Sequence, residues 1–425
     1  MIIPITIRLH VIILLLLIAN VTIAQNRKEA QRRIDRLCAD DFSGRGYINQ
    51  GDSLAANYIA SEFESIGLEN LSNRYLQSFN MSVNTFNVAE CAIDGKVLVP
   101  GYDFLVAPNS GSVKQDFEIF YISPMLLKSP KIAKKVKKAI KKGMVPVISQ
   151  YDKKNEILTA NVEEIRNCNE GATLIFLKES LIWSVAMSQA KGEEIWLVDS
   201  IFNRFSKKLS INVSAKFIEN YQSQNVLGYS KGTLYPDSFI VFCGHYDHLG
   251  KMGEATFYGA NDNASGIAML LDMASYFVKH PQNYSIAFIA FGAEEAGLVG
   301  SYNYVKKPLV PLKKTKFVFN MDLMGSGEEG ATIVNGTVFK EEFDELVFIN
   351  TANEYLPKIK SRGKAANSDH YFFTEAGVHS FFIYLLGEYK HYHIPADNPE
   401  NLILGEYYDK SFLLIRDFII SQSNK

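Results

Sequence analysis

In the second half of the chain, acidic and histidine residues recur where apolar runs end: Gly244-His245-Tyr246-Asp247-His248, Gly259-Ala260-Asn261-Asp262-Asn263, Ala293-Glu294-Glu295, Asn320-Met321-Asp322 and Tyr392-His393. Neutral imidazole and carboxylate are the donors zinc takes in open, reactive sites, whereas closed structural sites are mostly built from thiolate. The set is large enough to hold a pair of divalent metals. Each member is weak alone. His245 and Asp247 form an H-x-D pair in which one imidazole nitrogen can meet metal while the carboxylate accepts the other N–H and fixes the tautomer; the same pair is also an ordinary loop. Asp262 precedes an apolar helical stretch, so helix capping competes there with metal binding. Glu294 and Glu295 diverge as neighbours, which lets one hold metal while the other faces the open position and moves a proton. His248 and His391 read as hydrogen-bonded histidines beside the site. Ser368-Asp369-His370 is no triad on proximity alone, and Ser368 before a helical run reads as an N-cap.

These residues need a scaffold that presents strand ends. Apolar, β-branched and aromatic runs over 238–243, 285–291, 316–320 and 380–385 alternate with helical stretches over 265–280, 340–355 and 407–421, which predicts an α/β fold with a mixed, mainly parallel central sheet covered by helices on both faces. In such sheets ligands bind outside the carboxyl ends of the strands, where His245, Glu294, Glu295 and Asp322 fall. Ahead of this region, 29–37 and 53–66 read as amphipathic helices, the second closed by Gly67. From 88 to 222 the pattern changes to short β-rich segments and loops, predicting an inserted β-rich lobe. Within it, residues 128–142 carry eight lysines interleaved with Ile132, Val136, Ala139 and Ile140. Their spacing predicts an amphipathic helix with a solvated lysine face rather than a binding surface.

Residues 1–24 begin with a short stretch containing Arg8 and His10, continue through an apolar run over 11–19 and end in Thr22-Ile23-Ala24. That order is a secretory signal with cleavage after Ala24, and the run falls short of the roughly 20 residues that span a bilayer. The expectation is an exported protein, periplasmic or extracellular, with no stable membrane insertion. With 47% hydrophobic residues, 21% charged and a net charge of −2, nothing calls for nucleic acid. The oligomeric state is left open. Cys38, Cys91, Cys168 and Cys243 show no paired spacing, and Cys243 inside an apolar strand reads as a buried thiol.

Taken in order, Gly-His-Tyr-Asp-His, Gly-Ala-Asn-Asp-Asn-Ala-Ser-Gly, Glu-Glu-Ala-Gly-Leu-Val-Gly-Ser, Asn-Met-Asp and Tyr-His-x-Pro-x-Asp resemble the co-catalytic zinc aminopeptidases of the bacterial aminopeptidase S and yeast aminopeptidase Y type. The resemblance covers residues 29–67, including the Arg36 to Gly46 segment, and resumes from Asn225 to the C-terminus. It implies a zinc-exopeptidase fold, peptide substrates and two Zn2+ per chain. One ion is then held by His245 and Asp322 and the other by Glu295 and His393, with Asp262 bridging. Glu294 is implied as general base, Asp247 as the partner behind His245, and Tyr392 as a donor to the oxyanion. An insert at 88–222 stands where such proteins carry a protease-associated domain, and 139–148 is similar to its helix-to-strand step. The expected division is a signal peptide over 1–24, the first part of the peptidase domain over 25–87, the insert over 88–222, and the remainder over 223–425 carrying all the metal ligands. Glutaminyl cyclases, which usually use one zinc, and non-catalytic receptor ectodomains share the fold. Two complete half-sites and an intact Glu294 favour hydrolysis.

Overall fold

From Phe239 onward the strand Tyr235–His245 is buried, and it lies between Tyr284–Phe291 and Thr315–Met321, both parallel to it. Its side chains alternate between two covered faces, as a strand must. Ile240 and Phe242 enter a core shared with the helices Gly51–Ile66, Gly266–Lys279 and Glu406–Ser423. Val241 and Cys243 enter another with Tyr304 of the helix Val299–Lys306 and Phe373 of the short helix His370–Glu375. Phe242 sits among Phe288, Phe277 and Phe319, with ring centroids 5.6, 5.7 and 6.3 Å away. Each such aromatic pair adds about 0.5–1.5 kcal/mol beyond area burial. The computed structural model describes residues 27–168 and 171–425, and the expected signal peptide lies outside them.

The sheet continues past Thr315–Met321 through Ser380–Leu386, parallel, then Gly330–Val334, antiparallel, and ends at Ile359–Arg362. On the other side Tyr284–Phe291 pairs antiparallel with Lys208–Ser230. That strand and Leu76–Ile93 form a long antiparallel ribbon from Leu76↔Val226 to Ile93↔Leu209, with register shifts near Met81 and Phe86. The far half of Lys208–Ser230 pairs with Val113–Ile122, which begins a parallel series through Met144–Ile148, Leu174–Lys178 and Glu194–Val198. The helices Ile132–Ile140 and Glu156–Cys168 connect that series. Ile132, Ala133, Val136 and Ala139 of the lysine-rich segment are buried, so its apolar face does meet a core. Residues 88 and 222 both fall inside the long ribbon, so strand pairing carries on, through two register shifts, from the central sheet into the 88–222 segment. The sequence hides this because the ribbon's alternating polar and apolar residues are unchanged where it leaves one core and enters the next.

The first described helix, over 27–37, turns Ala30, Ile34 and Leu37 into the main core and with them a charged side chain, Arg33. Arg33 Nη1 lies 2.6 Å from Asp272 Oδ1, its Nε 3.0 Å from Glu62, and Tyr408 Oη–H donates to the other Asp272 oxygen at 2.9 Å. Burial outweighs Arg33 and pushes the Asp272 carboxyl up to about 7. Removing one partner of a buried pair leaves the other uncompensated, at a cost of about 3–5 kcal/mol. Asp272→Ala should therefore lower unfolding stability by that amount in urea denaturation. A midpoint near that of the unaltered protein would mean that Glu62 alone satisfies Arg33.

Candidate metal centre

Three adjacent parallel strands deliver the site. His245 is the last residue of Tyr235–His245 and pairs with Phe291, and Asp322 directly follows Thr315–Met321. Glu294 and Glu295 follow Tyr284–Phe291 through Gly292 and Ala293, the latter with φ of 56°. Asp262 lies in the turn before the helix Gly266–Lys279. Gly259 opens that turn with φ of +61°, and a Cβ there would stand 2.0 Å from the Asp262 carbonyl oxygen, so only glycine fits. The Gly266 N–H at the helix start donates to Asn263 Oδ1 at 3.0 Å, and the Asp262 carboxylate instead faces His245 and His393. His393 arrives from the C-terminal loop.

The carboxylate of Asp262 spans both halves of the cluster. Its Oδ1 is 3.3 Å from His245 Nε2 and its Oδ2 is 3.2 Å from His393 Nε2. His245 Nε2 is also 3.4 Å from Asp322 Oδ2, and His393 Nε2 is 3.2 Å from Glu295 Oε2. These separations exceed the roughly 2.7–2.9 Å of a charge-assisted hydrogen bond. They match the edge of about 3.4 Å that a tetrahedron with metal–ligand bonds near 2.1 Å requires. Asp322 Oδ1 is buried without a partner, as a ligand oxygen would be. The residues present therefore fit a pair of divalent ions.

Electrostatics point the same way. Burial opposes the charge on both imidazoles, yet the surrounding carboxylates win: His245 goes well up, beside Asp322, Glu294 and Asp262, and His393 rises to about 11 beside Glu295 and Asp262. Burial would likewise raise Asp262 and Glu295, but the histidines hold both down, Glu295 to about 2. Glu294 behaves differently. Burial and the neighbouring Glu295, Asp369 and Asp322 carboxylates push it well above the usual range, against the pull of His245. Two carboxylates of one dipeptide are thus driven apart, the pattern that separates a ligand from a proton carrier.

The expected residues converge on one pocket of about 210 Å³, whose wall includes His245, Asp262, Glu294, Glu295, Asp322, Tyr392 and His393. Tyr392 is stacked on His393 at 3.9 Å and remains half exposed. Asp247 departs from expectation. The His245 Nδ1 partner is the main-chain carbonyl of Asp247 at 3.1 Å, with the carboxylate 4.0 Å away. That carboxylate instead accepts the N–H groups of Glu294 and Glu295 at 3.0 and 3.3 Å and the Tyr47 hydroxyl at 3.1 Å. It anchors the glutamate loop by holding the two amides that open its turn. Ser368 is not an N-cap either. The helix starts at His370 without a side-chain cap, and the Ser368 hydroxyl accepts from Asn320 at 2.7 Å and leans toward Asp322 at 3.5 Å. His370 is packed on Phe382, and burial pushes it down to about 3.

His248 is a hydrogen-bonded histidine beside the site, as expected, and Asp397 and Arg45 are two supports to which the sequence reading gave no role. His248 is buried, and its Nδ1 is 2.8 Å from Glu295 Oε1, which leaves Oε2 for the centre. Asp397 accepts the N–H groups of Asn261 and Asp262 at 2.8 and 3.1 Å and the Tyr389 hydroxyl at 2.8 Å. Its place in Tyr-His-x-Pro-x-Asp was the available signal. Arg45, fully buried, donates to the carbonyls of Tyr246, Tyr258 and Gly259 at 2.7, 2.6 and 2.8 Å. Nothing in the sequence marks an arginine as buried.

Comparison with known proteins agrees with this geometry. Residues 225–418 match the model described as peptidase family M28, a span that contains every candidate ligand and Glu294. The chain is 28% identical over 344 residues to aminopeptidase YwaD of Bacillus subtilis (strain 168), covering 76% of this chain and 71% of that protein. Among solved structures it is similar in fold to BSAP, a zinc aminopeptidase from Bacillus subtilis, with a TM-score of 0.67 and 21% identity over 93% of this chain and 94% of that one. It is also similar in fold to a peptidase M28 precursor from Shewanella amazonensis SB2B, with a TM-score of 0.64 and 13% identity over 95% of this chain and 98% of that one. With its strand-end ligands inside the matched span and its fold similar along nearly the whole length to these structures, the chain carries a peptidase family M28 match over residues 225–418 and is a metallopeptidase.

Proposed function

We propose that this protein is an exported zinc aminopeptidase that removes residues one at a time from the free amino end of peptides. The observation that carries the proposal is the single carboxylate of Asp262, with one oxygen 3.3 Å from His245 Nε2 and the other 3.2 Å from His393 Nε2. That arrangement suits two zinc ions, one on His245 and Asp322 and one on Glu295 and His393. Bound there, they supply Lewis acidity, which acidifies water and polarises a carbonyl.

The chain's own residues supply the rest. Glu294, held in a protonatable state by burial, takes a proton from the attacking water and returns it to the leaving amine. Tyr392 stands at the mouth and donates to the developing oxyanion. The acidic wall favours the substrate's ammonium. The remaining wall, formed by Leu323, Phe382 and Tyr384 with Asn367, gives the same pocket of about 210 Å³ an apolar side for the substrate's side chain. Export is part of the same reading. It rests on the order of residues 1–24, and no helix among the described residues is long and apolar enough to cross a membrane. The insert takes the place of a protease-associated domain.

Metal content is the first test. The folded protein should bind two zinc equivalents by elemental analysis, and Asp262→Ala should lower both, since that carboxylate alone serves both ions; one equivalent at most in the unaltered chain would favour a cyclase. Glu294→Gln keeps shape and removes the base, so zinc should stay while kcat falls by about 10²–10⁴. Near-normal turnover in that variant would remove Glu294 from proton transfer. Acetylating the substrate amine abolishes its charge and should abolish cleavage. Equal hydrolysis of free and acetylated peptides would refute the aminopeptidase assignment while leaving metal-dependent hydrolysis intact.

A further inference from the structure

The insert reaches the metal centre through one short segment. Trp183 is buried, its indole stacked on Phe257 at 4.7 Å and its Nε1–H donated to the carbonyl of Val106 at 2.8 Å. With the side chain held at both ends, the backbone at this residue is fixed, and it meets His393 twice. His393 Nδ1 lies 2.9 Å from the Trp183 carbonyl oxygen, and the Trp183 N–H donates to the His393 carbonyl at 3.2 Å. A carbonyl can only accept, so Nδ1 keeps its proton whether or not a metal is bound, and Nε2, which faces Asp262 and Glu295, is the nitrogen that a metal would take. Ligating histidines are commonly oriented by such a partner.

The same segment also joins the packing around the other ligand of this half. Val185 packs against the small cluster that contains Ala293 and Ala296, the residues that flank Glu294 and Glu295. The segment is tied down at its far end as well, by a residue just ahead of the insert: Asn84 N–H donates to the Ala186 carbonyl at 2.9 Å, and Gln189 donates to Asn84 Oδ1 at 2.8 Å. The His245 and Asp322 half is supported otherwise, by the Asp247 carbonyl and by Ser368, all from residues after 225.

We infer that residues 181–187 of the insert are a positioning element for one metal of the pair, setting the affinity of the Glu295 and His393 half while leaving the His245 and Asp322 half untouched. The inference rests on the two-zinc reading above. It makes the insert a determinant of whether the centre carries one ion or two, a role separate from shaping access to the cleft.

Zinc titration of the full chain by chelator competition tests it without reference to turnover. The unaltered protein must first take two ions; one at most would overturn the two-zinc reading and the inference together. In a His245→Ala background the remaining ion belongs to the Glu295 and His393 half, and adding Trp183→Ala should weaken it by about 10–100-fold, the usual effect of losing a partner of a ligating histidine. In a His393→Ala background the remaining ion belongs to the other half, and the same change should leave its affinity unmoved. Trp183→Phe keeps a ring face for Phe257 but loses the indole N–H, so it should give a smaller loss in the first background alone, and it carries the test if the alanine variant does not fold. Equal weakening in both backgrounds, or none in the first, would overturn the role of the insert with the two-zinc reading still standing.

Discussion

A guanidinium with no carboxylate beside it holds the centre of this molecule together. Arg45 is fully buried and directs its fork of N–H groups at main-chain carbonyls from three places: Leu37 at the end of the first helix, Tyr246 after the central strand, and Tyr258 with Gly259 ahead of the Asp262 turn. A buried cation is costly unless every donor is met, so these three segments cannot separate without stranding it. Gly44 beside it, with φ of +63° and room for a Cβ only 2.3 Å from the Phe257 carbonyl oxygen, lets the chain pass that close. On the opposite side Asp397 collects the N–H groups of Asn261 and Asp262. The loop that carries the shared carboxylate is thus gripped by a cation on its carbonyls and an anion on its amides.

That grip matters because the cluster it supports is repulsive. Asp262, Glu294, Glu295 and Asp322 crowd one pocket, with His245 and His393 facing them and His248 behind Glu295. Carboxylates this close resist sharing full charge, and their shifts in opposite directions show the tension. Bound cations relieve it, and a rigid frame keeps the ligand atoms at coordination distance rather than letting them relax outward. Asp247 serves that frame with its carboxylate and its carbonyl at once, bracing the glutamate loop and orienting His245.

The strands and the ligand set were legible because an apolar run that stops at an acidic residue or a histidine is a one-dimensional signal. The runs over 238–243 and 285–291 became Tyr235–His245 and Tyr284–Phe291, with His245 and Glu294 where they were expected. Contacts made by main chain were not legible. The partner of His245 is a carbonyl rather than the carboxylate that the H-x-D spacing suggested, and the partner of His393 is a carbonyl 210 positions away in the insert. No side-chain type announces either. The ribbon Leu76–Ile93 with Lys208–Ser230 escaped for a related reason, since its pairing is long-range and its composition does not change where it crosses between cores. Residues 1–24, with their expected role in export, lie outside the described chain.

The strand Lys208–Ser230 pairs at its near end with Tyr284–Phe291 and at its far end with Val113–Ile122, while Leu76–Ile93 accompanies it along nearly its whole length. A lobe joined by loose linkers can swing open as a body. One joined by a continuous hydrogen-bonded ladder bends only by breaking rungs of that ladder. The far lobe and the central sheet accordingly share two long strands, so neither can turn far without bending the ladder on which both are built.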